Sequence, residues 1–151
     1  MKRLMSMNTS IAYKDLREYI QAVDRLGELR RVDGADWDLE IGAITEVAGR
    51  AGEQKGLLCR NIKGYPKGFR VVTNAVCSAA TTGLAFGLDP NSSGMDMIKA
   101  WKEKLGSYKP LKPVDVASGP ITENIDTGNK VDMLKFPTPR WHEDDGGRYI
   151  G

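Results

Sequence analysis

The chain alternates between stretches whose apolar residues recur at helical spacing and short apolar runs bounded by turn residues. Over 13–26, Leu16, Tyr19, Ile20, Val23 and Leu26 share one side of a helical repeat, while Lys14, Asp15, Arg17, Glu18, Gln21, Asp24 and Arg25 fall mostly opposite. This predicts an amphipathic helix with Thr9 or Ser10 available as N-cap and Gly27 as a left-handed C-cap. Glu28-Leu29-Arg30-Arg31-Val32 alternates loosely and predicts a short, half-exposed strand. A second helix is predicted over 39–51, capped by Asp36 or Asp38, with Ile41, Ile44, Val47, Ala48 and Ala51 inward and Gly52 closing it.

Two short apolar runs, Gly56-Leu57-Leu58-Cys59-Arg60-Asn61-Ile62 and Phe69-Arg70-Val71-Val72-Thr73-Asn74, predict strands. The turn Lys63-Gly64-Tyr65-Pro66-Lys67-Gly68 between them suits a hairpin, and a longer connection also remains open. A short helix over 79–88 ends near Gly87, and a longer one over 95–105 carries Met97, Ile98, Trp101 and Leu105 as its apolar stripe, with Lys99, Lys102 and Glu103 facing water. The pattern changes at 106–120, where Pro110, Pro113 and Pro120 with Gly119 enforce an extended connector. The organisation expected is a flexible 1–12, an α/β or α+β domain over 13–105, the connector, and a second unit that begins at 121. In that unit Ile121-Thr122-Glu123-Asn124-Ile125 and Val131-Asp132-Met133-Leu134 flank turn chemistry at Gly128-Asn129.

Composition narrows the function classes. With 151 residues, 40% hydrophobic and 28% charged, the chain can bury a core and is neither disordered nor collagen-like. Its net charge of +2 comes from 22 basic and 20 acidic side chains interspersed along the sequence, so no basic stripe points to nucleic acid. Cys59 and Cys77 lack the spacing of a zinc site or a disulfide framework and read as buried free thiols in apolar surroundings. No run approaches the ~18 apolar residues of a membrane span, and the start is too short for a secretory apolar region, so a cytoplasmic location is expected.

Candidate chemistry gathers near the end. His142, the sole histidine, stands beside Glu143, Asp144 and Asp145, which suits either a general base with an oriented tautomer or an exposed polar loop. Adjacent acids seldom converge on one ion, so a metal site there is disfavoured. Gly146-Gly147 reads either as a turn or as a place where backbone meets a phosphate or a flat ring. Neither a GxGxxG after a strand nor a GxxxxGK[ST] occurs, which removes support for Rossmann-type dinucleotide binding and for P-loop chemistry. Trp101 reads as core, whereas Trp141 lies next to the candidate site.

Four landmarks, in order, make the chain from Tyr13 onward similar to the N-terminal part of the UbiD family of reversible decarboxylases. They are Asp15-Leu16-Arg17-Glu18-Tyr19-Ile20 with Gly27-Glu28-Leu29-Arg30-Arg31-Val32; Asp38-Leu39-Glu40-Ile41-Gly42-Ala43-Ile44; Asn61-Ile62-Lys63-Gly64-Tyr65-Pro66; and Phe136-Pro137-Thr138-Pro139-Arg140-Trp141-His142 leading into Asp145-Gly146-Gly147-Arg148-Tyr149-Ile150-Gly151. The resemblance implies an N-terminal α/β segment, then the start of a split β-barrel that binds prenylated FMN, with a later domain driving homo-oligomer formation. It implies non-oxidative decarboxylation, in either direction, of an aromatic or α,β-unsaturated carboxylic acid. A divalent metal such as Mn2+, with K+, and a flavin prenyltransferase that supplies the cofactor are implied with it.

The family's metal ligands, catalytic arginine and catalytic glutamates come from later sequence, so no catalytic or metal residue maps here, and His142 does not match the metal histidine. What the resemblance does assign is a cofactor edge at Gly147, Tyr149, Ile150 and Gly151. A chain ending as a strand begins is expected to be an N-terminal portion, inactive alone. The competing expectation is a non-catalytic assembly or binding subunit of a multi-subunit carboxylase.

Overall fold

The computed structural model describes residues 13–148, so the predicted flexible start over 1–12, the caps Thr9 and Ser10, and Tyr149, Ile150 and Gly151 lie outside the described residues. Three helices end the same way. After α1 (Leu16–Arg25), α2 (Glu40–Arg50) and α3 (Ala79–Ala85), the glycines Gly27, Gly52 and Gly87 take φ of 73°, 75° and 64°. There the amide of each glycine and of the residue after it return to the last-turn carbonyls, for example Gly27 to Asp24 and Glu28 to Val23. The glycine positions therefore set where each helix stops and the chain turns toward the next strand.

Asp15, and not the expected Thr9 or Ser10, is the N-cap of α1, its side chain accepting from the Glu18 amide at 2.8 Å, so the helix begins at Leu16. Tyr19 and Val23 are buried as predicted, but Leu16 on the first turn is 57% exposed. The strands β1 (Leu29–Asp33), β2 (Gly56–Arg60) and β3 (Arg70–Thr73) form one sheet in that order, β1 parallel to β2 and β2 antiparallel to β3. The α2 crossover makes the parallel pair possible, and the loop 61–69 closes a hairpin between β2 and β3. The class is thus mixed α/β, as expected from the sequence.

Strand β2 is the centre, and Gly56, Leu57, Leu58 and Cys59 are all buried. On one sheet face Cys59 packs with Ile41, Ala35 and Ile62, with Val71, Trp37 and Trp141 around them. Thr45 of α2 and Thr73 of β3 share a 3.0 Å hydrogen bond across the same face. A second cluster joins Tyr19, Ala22 and Val23 of α1 to Leu84 of α3, with Leu29 of β1 beside it. Tyr19 is buried because its hydroxyl finds the Ala75 carbonyl at 2.8 Å.

Helix α4 (Gly94–Ser107) departs from the pattern. Of its predicted stripe only Met97 is buried; Trp101 is half-buried against Phe86, and Ile98 and Leu105 are 62% and 54% exposed. The helix touches the body where Met97 lies beside Gly83 and where Trp101 and Lys104 meet Phe86, while Met95, Ile98 and Leu105 stay exposed. Val47, predicted inward on α2, is likewise exposed. Residues 108–119 carry neither helix nor strand, as the prolines require.

Beyond them, 121–125 and 131–134 form no strand. Three single-turn 3-10 helices (Pro120–Thr122, Gly128–Lys130 and Met133–Lys135) stand instead, with exposed side chains. A strand exists only through ladder bonds to a neighbour, and among the described residues none runs beside this segment. Among the described residues no helix is long and apolar enough to cross a membrane.

Candidate functional site

The last described stretch returns to the α/β body and is fixed there by backbone groups. Leu39 donates its N–H to the Arg140 carbonyl at 2.9 Å, and Arg140 donates to the Trp37 carbonyl at 3.0 Å, forming a one-residue parallel bridge between Asp38 and Arg140. Leu39 takes φ 67°, a conformation a branched side chain avoids at a cost of about 1–3 kcal/mol, and this aims its amide at Arg140. Helix α2 consequently starts without a side-chain cap. The predicted caps are occupied elsewhere: Asp36 accepts the Asp38 amide at 3.0 Å and pairs with Lys63 at 2.8 Å, and Asp38 accepts from Arg140 Nε at 2.7 Å.

In the first turn of α2, Gly42 makes close approach possible. A Cβ placed there would lie 2.0 Å from the Trp141 carbonyl oxygen, so only glycine lets the segment lie against the helix. Pro137, Thr138 and Pro139 are buried along this contact, and Trp141 packs beside Ile41, Cys59 and Ile62.

A second anchor lies further along. The Arg148 guanidinium stacks 3.9 Å from the centre of the Trp37 ring, its Nε donates to the Thr138 carbonyl at 2.7 Å, and its Nη2 donates to the Phe136 carbonyl at 3.1 Å and to the Tyr65 hydroxyl. Tyr65 in turn donates to the Leu134 carbonyl at 2.9 Å. Beside them Tyr65, Phe69 and Phe136 form an edge-to-face series that walls an open groove of about 460 Å³.

The sequence-predicted acids do not converge on His142. Its ring is 60% exposed, with Nε2 3.7 Å from Glu46 and Nδ1 3.9 Å from Asp145, beyond hydrogen-bond reach. Asp145 instead accepts the Trp141 and His142 amides at 3.1 and 2.9 Å, closing the loop on itself, while Glu143 and Asp144 face outward. Of the two readings of this loop, the polar loop is the one observed. Among the described residues no three metal-binding side chains gather.

Cys59 is fully buried and burial pushes its thiol pKa up; Cys77 is only half-buried, less than its sequence surroundings suggested, and is shifted upward for the same reason.

Of the predicted cofactor edge, Gly147 alone is described. It holds φ 156°, which side-chain-bearing residues rarely adopt, and a Cβ there would meet nothing within 4 Å. Sequence reasoning missed Gly42, Trp37, Tyr65 and Arg148. Gly42, Tyr65 and Arg148 lie inside the landmark motifs, where a glycine within a helix pattern was the one local sign of a close contact.

Residues 20–101 match the family model described as the 3-octaprenyl-4-hydroxybenzoate carboxy-lyase N-terminal domain, and 112–151 match that described as the Rift-related domain of the same carboxy-lyase. The pyrrole-2-carboxylic acid decarboxylase of Pseudomonas aeruginosa is 33% identical over 147 residues, which cover 91% of this chain and 29% of the relative. The phenolic acid decarboxylase of Sedimentibacter hydroxybenzoicus is 32% identical over 143 residues, 91% of this chain and 29% of its own. The solved vanillic acid decarboxylase of that organism, in closed form, superposes with a TM-score of 0.78 at 32% identity over 93% of this chain and 30% of that one. The chain therefore spans about three tenths of the length of these relatives.

Proposed function

The chain belongs to the UbiD carboxy-lyase family, and from that premise we propose that it is the N-terminal portion of an enzyme that removes CO2, non-oxidatively and reversibly, from an aromatic or α,β-unsaturated carboxylic acid. The relatives named for decarboxylation of pyrrole-2-carboxylic and phenolic acids support this substrate class. In this reading prenylated FMN, when bound, supplies the covalent activation that lets the carboxyl group leave. The residues of this chain that would meet it are Gly147, Tyr149, Ile150 and Gly151. The divalent metal, such as Mn2+, and K+ would be held by groups outside these 151 residues, as would the proton donor. A homo-oligomer loaded by a flavin prenyltransferase completes the proposal.

The chain's own contribution is positional. It buries 137–139 against α2, stacks Arg148 on Trp37, and so presents the backbone at Gly147 from a rigid body rather than from a free loop. The supporting observation is this docked stretch, whose residues are those of the most specific landmark. The whole protein, produced together with a flavin prenyltransferase, is expected to show bound-flavin absorbance and to release CO2 from pyrrole-2-carboxylate or a phenolic acid. A flavin-loaded protein that turns over no acid of this class would overturn the proposal. The 151-residue chain alone is expected to retain no flavin and to release no CO2.

A further inference from the structure

We propose that Arg148 is a positioning residue, which fixes the cofactor-facing main chain at Gly147 by anchoring it to Trp37 of the α/β body. This inference rests on reading 147–151 as a pocket edge. The guanidinium lies over the Trp37 ring at 3.9 Å and bonds the Thr138 and Phe136 carbonyls and the Tyr65 hydroxyl. These partners come from three separate segments: the turn before α2, the loop 61–69, and the approach 136–138. All are neutral: an aromatic face, two carbonyls and a hydroxyl, so the recorded contacts of Arg148 are made by stacking and directed hydrogen bonds. A planar fork that stacks and donates along several directions at once fits this role; a lysine offers a point charge and no plane.

Trp37 is itself held. Its carbonyl accepts the Arg140 amide at 3.0 Å, and its ring packs against the core cluster around Ile41 and Cys59. Arg148 directly follows Gly147, so whatever fixes this side chain fixes the peptide at the candidate edge. None of the clamp's partners is itself a proposed cofactor contact, so Arg148 acts on the cofactor through placement of the backbone.

The test uses the whole protein with Arg148→Lys, Arg148→Ala, Trp37→Leu and the double variant Trp37→Leu/Arg148→Ala. Flavin absorbance titration reads Kd, steady-state assays read kcat and KM separately, and circular dichroism melting checks that each variant folds. Each single variant is expected to raise the flavin Kd about tenfold, and the double variant no further than either, with KM for the acid unchanged. Wild-type affinity in the variants, or additive losses in the double variant, would overturn the inference. A wild-type protein that binds no flavin would sink the pocket-edge reading and this inference with it, whereas binding unaffected by the variants would sink the inference alone. Without flavin, trypsin cleavage after Arg148 is expected to speed up about tenfold in Trp37→Leu, since a clamped guanidinium cannot enter the protease pocket. An unchanged rate would also overturn it.

Discussion

Two segments of this chain carry prolines and neither helix nor extended strand, yet they meet opposite fates. The run 108–119 holds Pro110 and Pro113 and lies in solvent, with Leu111 91% and Val114 82% exposed. The run 137–141 holds Pro137 and Pro139, which are buried with Thr138 between them, and Arg140 and Trp141 are half-buried. Proline content does not separate them. What separates them is the opposite surface: the Leu39 amide and Trp37 carbonyl stand at the spacing of Arg140, and Gly42 leaves room for the Trp141 backbone. An extended segment is fixed when its own amides and carbonyls meet unpaired partners, and prolines help because the chain then has less freedom to lose.

The sharpest way to break this contrast is Gly42→Ala. A methyl group placed 2.0 Å from the Trp141 oxygen must displace either the segment or the helix, at about 3 kcal/mol. Urea unfolding followed by tryptophan fluorescence should show that loss, and trypsin should then cut after Arg140 as readily as after exposed Lys130. The matching change in the other segment, Gly119→Ala, meets no atom within 4 Å and should stay within about 0.5 kcal/mol of wild type. If both substitutions were equally mild, the close approach would not be what holds the segment.

The sequence revealed the α/β body more readily than the docking. Local rules located α1, α2, the hairpin strands and the glycine stops, because periodicity and C-cap chemistry are written within a few residues. They placed α2 correctly but misassigned its cap, because the side chains of Asp36 and Asp38 are taken by Lys63 and Arg140, and Arg140 is 102 positions from Asp38. The stripe of α4 was read as core because periodicity records amphipathicity and not what covers it. At the candidate site, Gly147 was named through the resemblance, while the contact of Arg148 with Trp37 is one that no spacing rule encodes.

A smaller effect is expected at the ion pair that accompanies the bridge. Arg140 Nε and Asp38 Oδ1 are 2.7 Å apart, but the side chains are 32% and 41% exposed, so solvent screens much of the attraction. Asp38→Asn should cost about 0.5–1 kcal/mol in urea unfolding, and the difference should shrink at high salt. If Asp38→Asn weakened the fold as much as Gly42→Ala, charge rather than close approach would be the main anchor of the segment.

The smallest effect tests whether the turn before α2 is tuned for this docking. Asp36 has its pKa lowered, first by the hydrogen bond from the Asp38 amide and then by the Lys63 ammonium. A carboxylate whose folded pKa lies below its unfolded value stabilises the fold above the ordinary range near ~3.9, and that contribution is lost as pH falls through the lower, folded value. Acidification below the ordinary carboxylate range should therefore loosen the turn that carries Trp37 and Asp38, and the segment docked on it. Asp15 provides the control: its pKa is lowered too, chiefly by the Glu18 amide, but it caps α1 away from the docked segment. Asp36→Asn should flatten the acid dependence of hydrogen-exchange protection, corrected for intrinsic exchange, at the Leu39 and Arg140 amides that pin the docked segment, and Asp15→Asn should leave it unchanged. Equal flattening by both would mean that acid loosens the whole α/β body, and that the docked segment merely follows it.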